Sequence, residues 1–444
     1  MRGFGIIKRM NNCTLTIAAF AAAAFAAFAV AEAADFQIGV YCLKENARTE
    51  QHIKDIRDCH VDFVYGIECT DRKTLDLFAK YGLKAIVHGV YRNWWGGHKK
   101  LNGKLAETIP PQVVEQGVAT MKATGADVHP AVSMIAIGDE PSALDFPYYN
   151  DFVERLHRLL PRQVPHLNLH PCYPPVEADF GYTGATNYYE YIDKYMKNVP
   201  LDYLSYDHYL YCKSPRQSGM GPFLRNFKIV ADACRRTGRR FWFVPQVNTH
   251  KAKVVITEQK LRYQANMAMA FGAETLMWAC WTKGWWTMNV LDENGAKTVQ
   301  YDRLKHVNAE IKGIAPRFME FRSVDTQLVG FEKHPDWLKG SDSTSVAALD
   351  GGFFRQLKAE DGDALVVGIM TDRRGVPSRK ALYVVAAEDP WDESPKVRTV
   401  SFEGVGKVTA FAANGPVPLR RLADGRRYAF DLKSNGAVLV VFEM

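Results

Sequence analysis

The sequence predicts an α/β fold: a (β/α)8 TIM barrel followed by a C-terminal all-β sandwich. Three observations predict it. Eight short apolar runs alternate with amphipathic helical segments between residues 36 and 281. The runs lack clean two-residue alternation, as strands covered on both faces do. Beyond residue 320 the helical pattern stops and short alternating strands take over.

The eight runs are 36–43, 61–67, 84–91, 132–138, 166–173, 201–209, 240–247 and 275–281. Helices are expected over 70–82, 147–161, 223–238, 256–272 and 301–315, and Gly82, Gly238 and Gly272 mark helix ends. Eight strand–helix repeats in about 250 residues favour a closed parallel barrel over an open doubly wound sheet. The later strands fall within 346–359, 363–372, 380–388, 397–405, 407–413, 426–432 and 437–444. Turn signals at Asp350-Gly351, Asp361-Gly362 and Asp424-Gly425 separate some of them. The expected division is a signal peptide over 1–34, the barrel over 35–320 and the sandwich over 321–444.

The signal peptide rests on Arg2, Lys8 and Arg9, an uncharged Ala-rich stretch over 14–30, and small residues at Ala31, Ala33 and Ala34. It predicts export to the periplasm or the extracellular space, with no membrane attachment after cleavage. Hydrophobic residues at 47% and charged residues at 24% describe an ordinary globular protein. The net charge of +7 comes without a long Lys/Arg run, so no nucleic-acid partner is expected. Seven cysteines follow Cys13, without the spacing of a zinc site; one or two disulfides at most are expected.

A barrel of this kind carries its site at the C-terminal ends of its strands. The fourth run ends Asp139-Glu140-Pro141, the sixth ends Tyr206-Asp207-His208, the fifth ends at His170 and the second at Glu68. Six of the nine tryptophans follow the third run or close the eighth, among them Trp94, Trp281 and Trp285. Aromatic faces beside carboxylates suit a sugar ring, which has an apolar face and a polar edge. Glycosyl transfer in turn needs two carboxyl groups flanking the bond. His88, His170, His208 and His250 lie near strand ends, but no ligand spacing supports a metal. No dinucleotide fingerprint, P-loop or nucleophile elbow is present, so no cofactor is expected.

The segments GDEP at 138–141, NYYEYIDKYM at 187–196, LDYLSYDHY at 201–209 and the run 290–312 resemble exported glycoside hydrolases of clan A, the β-galactosidase-like barrel families. The resemblance spans roughly residues 36–320. It implies a glycoside hydrolase acting on an oligo- or polysaccharide, with Glu140 as general acid and Asp139 in the usual place of an Asn. It also puts Gln246 where the family has its nucleophilic Glu, and an amide cannot serve there. Three accounts stay open: Asp207 as second carboxylate, which is preferred, Glu68 in that role, or a barrel that binds sugar without cleaving it. A metal-dependent hydrolase is a further alternative. Asp139, Tyr206, His208, Gln246, His170, Arg92 and Glu68 are the expected contacts to substrate, with Trp94, Trp281 and Trp285 stacking on sugar rings.

Overall fold

The computed structural model describes residues 35–90, 95, 102–172, 184–211, 219–248, 254–282, 284 and 287–444. The expected signal peptide lies outside them, as do Arg92, Trp94, Trp285 and His250. Residues 36–444 form one compact unit.

Eight parallel strands close a barrel in sequential order: β1 (Gln37–Tyr41), β2 (Phe63–Glu68), β3 (Lys84–His88), β4 (Val132–Asp139), β5 (Val164–Leu169), β6 (Tyr203–Asp207), β7 (Arg240–Val244) and β8 (Ala273–Trp278). Each falls on one of the eight apolar runs. The helices between them are α1 (Glu50–Asp58), α2 (Arg72–Lys80), α3 (Leu105–Thr108), α4 (Pro111–Thr124), α5 (Phe146–Leu159), α6 (Tyr188–Asn198), α7 (Met220–Thr237), α8 (Glu258–Ala270) and α9 (Val299–Phe318). Side-chain caps fix several starts: Thr49, Asp71, Asn187, Thr257 and Thr298 each accept a bond from an N–H of the first turn. The α7 helix stops at Gly238, whose φ of 74° is open to glycine without strain.

Aromatic rings fill the inside of the barrel. Trp242 stacks on Tyr203 at 4.6 Å and meets Phe63 at 5.7 Å, and His166 lies parallel to Tyr203 at 5.9 Å. Burial pushes the His166 imidazole down to about 3, so it sits there neutral. This plug closes the barrel below the site and leaves the strand ends as the place where a ligand can enter.

Past α9 the chain builds two sheets. Strands β9 (Phe321–Val329), β10 (Ser345–Val346), β13 (Leu365–Asp372), β14 (Arg379–Ala386), β16 (Lys407–Ala412), β17 (Gly415–Pro416) and β20 (Ala437–Glu443) form one, in the order β10-β9-β13-β14-β20-β16-β17. Strands β11 (Leu349–Gly351), β12 (Phe354–Ala359), β15 (Val397–Gly404), β18 (Arg420–Arg421) and β19 (Arg427–Lys433) form the other. Val367, Leu382, Val384 and Val440 of the larger sheet share a core with Leu357, Val400, Phe402 and Phe430 of the smaller. Their neighbours Val366, Ala381, Tyr383, Val385 and Val441 point the other way and join the core of the barrel. The strands β13, β14 and β20 of the larger sheet are therefore covered on both faces, which is why they read as almost unbroken apolar runs. Tyr383 donates from its hydroxyl to Asn266 of α8 at 2.8 Å across that contact.

Two details differ from the sequence expectation. The β9 strand falls where no strand was expected, because its mixed sequence is only half buried. The turn near Asp350-Gly351 comes later, since both residues belong to β11.

Candidate active site

The centre of the site is a row across three neighbouring strands. Register sets Asp139 of β4 beside Asn168 of β5, and Asn168 beside Ser205 of β6. Asp207 follows two residues after Ser205 and so faces the same side. The Asn168 amide donates to Asp207 Oδ1 at 2.8 Å and to Asp139 Oδ1 at 3.3 Å, while Ser205 Oγ donates to its carbonyl at 2.8 Å. The second carboxylate oxygen of Asp207 is buried with no hydrogen-bond partner among the described residues.

Glu140 comes next in the chain, and strict alternation would turn it away from Asp139. It adopts φ 47° instead, a left-handed conformation that is uncommon for a residue with a side chain. Its N–H still donates to Asn168 O at 2.8 Å. Pro141 then ends the ladder. The turn brings Glu140 Oε2 to Trp95 Nε1, which donates at 2.7 Å, and Oε1 to within 3.4 Å of His170 Nδ1. Gly138 makes room below: a Cβ there would lie 2.1 Å from the Tyr149 hydroxyl.

The three carboxyl groups have opposed tendencies. Burial, then the Glu140 charge, push Asp139 up to about 7 against the Asn168 hydrogen bond. Asp207 is raised well above the carboxylate range by burial, then by Glu140 and Asp139. For Glu140 burial acts upward too, but the His170 charge and the hydrogen bonds from His170 and Trp95 outweigh it and hold the group low. The cluster thus favours a proton on the aspartate pair and a negative charge on Glu140. Two environments that push carboxyl groups apart in this way set up an acid and a base side by side.

Two tyrosines missing from the sequence expectation join this group. The rings of Tyr41 of β1 and Tyr65 of β2 lie 4.3 Å apart, tilted by 39°. Burial raises both hydroxyls; Asp139 raises both further and Asp207 adds to the effect on Tyr41, so these phenols stay neutral beside the aspartates. Asn168 and Trp95 were also missed. Trp95 was visible only as one of two adjacent tryptophans, and it keeps 40% of its surface exposed beside Glu140.

Other expected contacts lie elsewhere. Tyr206 alternates with Asp207 and points outward, packed on Phe227, Phe241 and Phe243. His208 is buried against Phe223 of α7, with Nδ1 at 3.0 Å from Asn226 Oδ1. Gln246 is fully buried and holds two loops together: its Oε1 accepts from Tyr211 N at 2.7 Å and its Nε2 donates to Asn248 O at 3.1 Å. Trp281 is also fully buried, edge-on to Tyr301. The structure thus places the side chains of Tyr206, His208, Gln246 and Trp281 out of solvent and against these neighbours, away from the row of Asp139, Asn168 and Asp207. Glu68 sits at the rim of β2, where Arg48 bonds it at 2.7 Å and His88 approaches to 3.6 Å. His88, His170 and His208 each face a different partner and do not converge. Among the described residues, three possible metal-ligand groups meet only at Glu258, His306 and Glu310, where Arg262 already bonds both carboxylates.

The sandwich reaches the rim as well. Trp391, in the segment between β14 and β15, stands edge-on to Tyr211 at 5.2 Å, and Tyr211 follows β6 four residues after Asp207. Lys260, at the start of α8, pairs with Glu393 and lies over the Tyr211 ring.

No family model matches the chain, and no curated protein matches its sequence. Solved structures match its fold. A catalytic mutant of a GH42 β-galactosidase from G. stearothermophilus aligns over 92% of this chain and 98% of its own, at 9% identity and a TM-score of 0.50. An α-L-fucosidase isoenzyme 2 from Paenibacillus thiaminolyticus covers 92% and 100% at 8% identity and 0.48. An endo-β-1,4-mannanase from Thermotoga petrophila covers 80% and 96% at 10% identity and 0.46. At these identities the likeness is one of fold, and the barrel fold implied by the sequence resemblance is the fold observed.

Proposed function

We propose that this protein is a glycoside hydrolase that cleaves a glycosidic bond in an oligo- or polysaccharide, using the carboxyl cluster of Asp139, Glu140 and Asp207. The observation that carries the reading is the clustering of the three groups around Asn168, Trp95 and His170, with burial raising Asp139 to about 7 and Asp207 well above its ordinary value while His170 and Trp95 hold Glu140 low. One part of the cleft can give a proton at neutral pH while the other accepts one or bears charge against a developing oxocarbenium ion. The distribution favours the aspartate pair as donor and Glu140 as ionised partner, the reverse of the general-acid role expected for Glu140. Trp95, exposed beside Glu140, offers the aromatic face a sugar ring needs.

Release of reducing sugar from a panel of oligosaccharides tests the reading. Glu140→Gln, Asp139→Asn and Asp207→Asn are each expected to lower kcat/KM by about 10²-fold or more. Aryl glycosides with leaving groups that need no proton separate the roles. The variant that lacks the donor keeps turnover on them, and the variant that lacks the ionised partner does not. Retained turnover by Glu140→Gln alone would return the donor role to Glu140.

A second reading, sugar binding without cleavage, draws on Gln246, an amide fully committed to loop contacts at the position where the resemblance implies a nucleophile. Binding across the panel without any product would establish it. Export is part of the proposal too. The charged start and Ala-rich stretch predict that the mature protein, sequenced from its N-terminus, begins near Ala34 or Asp35.

A further inference from the structure

The barrel closes where β1 pairs with β8, in a register that sets Val40 beside Trp278. Past the strand ends the two chains stay together: Trp281 N donates to Tyr41 O at 2.8 Å and Thr282 N to Cys42 O at 3.0 Å. A cysteine lies on each side of this seam. Cys42 is partly exposed and Cys280 fully buried. Each thiol shifts the proton affinity of the other. Gly284 leaves space beside them: a Cβ there would lie 2.9 Å from Cys280 Sγ and 3.5 Å from Cys42 Sγ. Both sulfurs therefore border one small volume. Three of the other described cysteines are set differently, and the fourth, Cys69, is buried after β2. Cys59 accepts from Asn308, Cys172 donates to Pro222 O and Cys234 donates to Arg240 O.

We propose that Cys42 and Cys280 form a redox-active dithiol, which a small-molecule or protein disulfide converts into a covalent tie between the first and last strands of the barrel, beside the carboxylate cleft. The Cys42 thiolate attacks one sulfur of the external disulfide and expels the other as a thiolate. That thiolate takes the proton of Cys280. The Cys280 sulfur then attacks Cys42 Sγ and releases the second half of the reagent as a thiolate, which is protonated by solvent. Two protein thiols are oxidised, and one disulfide is reduced to two thiols. Exposure sets the order of attack, because Cys42 alone of the two meets solvent. Its thiol is also held below the usual value, first by the neighbouring Cys280 thiol and against burial, as suits an attacking sulfur. The inference does not depend on sugar cleavage.

The test is thiol mapping on the full chain. Protein is incubated with oxidised glutathione or with dithiothreitol, quenched in acid, unfolded, alkylated and digested. Oxidised glutathione is expected to remove two alkylatable thiols and to yield one peptide pair joined through Cys42 and Cys280. Cys280→Ala should leave Cys42 carrying one glutathione, and Cys42→Ala should leave Cys280 unmodified, with thermal melts confirming that both variants fold. Full alkylation of both residues after oxidation would overturn the proposal. So would a bond from Cys42 to another cysteine, or modification of Cys280 in Cys42→Ala as fast as in the parent. Should a variant fail to fold, the mapping of the unaltered protein decides alone.

Discussion

Glu140 owes its position to one strained dihedral, and its charge to one histidine. Removing His170 takes away the first influence that opposes burial, so the Glu140 carboxyl should rise. The ionised form then appears only at higher pH. If Glu140 works ionised, the acid limb of the kcat/KM profile moves upward in His170→Gln; if it works as an acid, the basic limb moves upward. Asp139 gives a stability prediction. Its folded value of about 7 exceeds the ordinary 3.8 of an aspartate, so the native state binds the proton more tightly than the unfolded chain. The cost of ionising it is absent below about pH 4, grows as pH rises through that window and is complete above about 7. Thermal melts should show Asp139→Asn gaining on the parent at pH 8 and losing that gain at pH 4. Asp139, Glu140 and Asp207 were legible because each closes an apolar run. Tyr206 faces out of the barrel and Trp281 lies past the end of β8, and a strand covered on both faces does not reveal which of its residues face inward. Tyr41, Tyr65 and Asn168 gave no signal, since an inward polar residue reads like any other residue of a strand.

Among the elements, β4 is constrained where its last residues pass close to α5. Gly138→Ala would drive a methyl group into the Tyr149 hydroxyl. Overpacking of this kind costs about 1–3 kcal/mol, and calorimetry should find that loss together with reduced turnover as Asp139 shifts. The segment between β14 and β15 makes a different prediction. Trp391 remains 42% exposed although its edge is fixed on Tyr211. Trp391→Ala should raise KM for long oligosaccharides and leave short aryl glycosides unchanged; equal effects on both would mean that the residue only braces the loop. Strand existence was legible for the barrel because runs such as 61–67 and 240–247 are covered on both faces. The β9 strand was not, because its Arg322, Asp325 and Thr326 break the pattern at a half-covered edge.

At the scale of the whole molecule the barrel and sandwich share one core. Removing residues 321–444 would bare the apolar side of α8 and α9 against which Tyr383, Val385 and Val441 pack. The shortened chain is expected to aggregate on expression, with soluble yield as the measurement. The passage from the helix-bearing barrel to all-β structure was legible from the change of period near residue 320. The shared core was not, because no single strand states what covers its second face. The closing of β1 on β8 carries a kinetic consequence. The first strand cannot find its second neighbour until the chain has been made as far as residue 278, and the sheet that shields α8 and α9 arrives later still. Contacts between such distant segments form slowly and leave strand edges open in the meantime. Refolding from denaturant should therefore be slow and sensitive to protein concentration, with the half-built barrel as the species that a chaperone would have to hold.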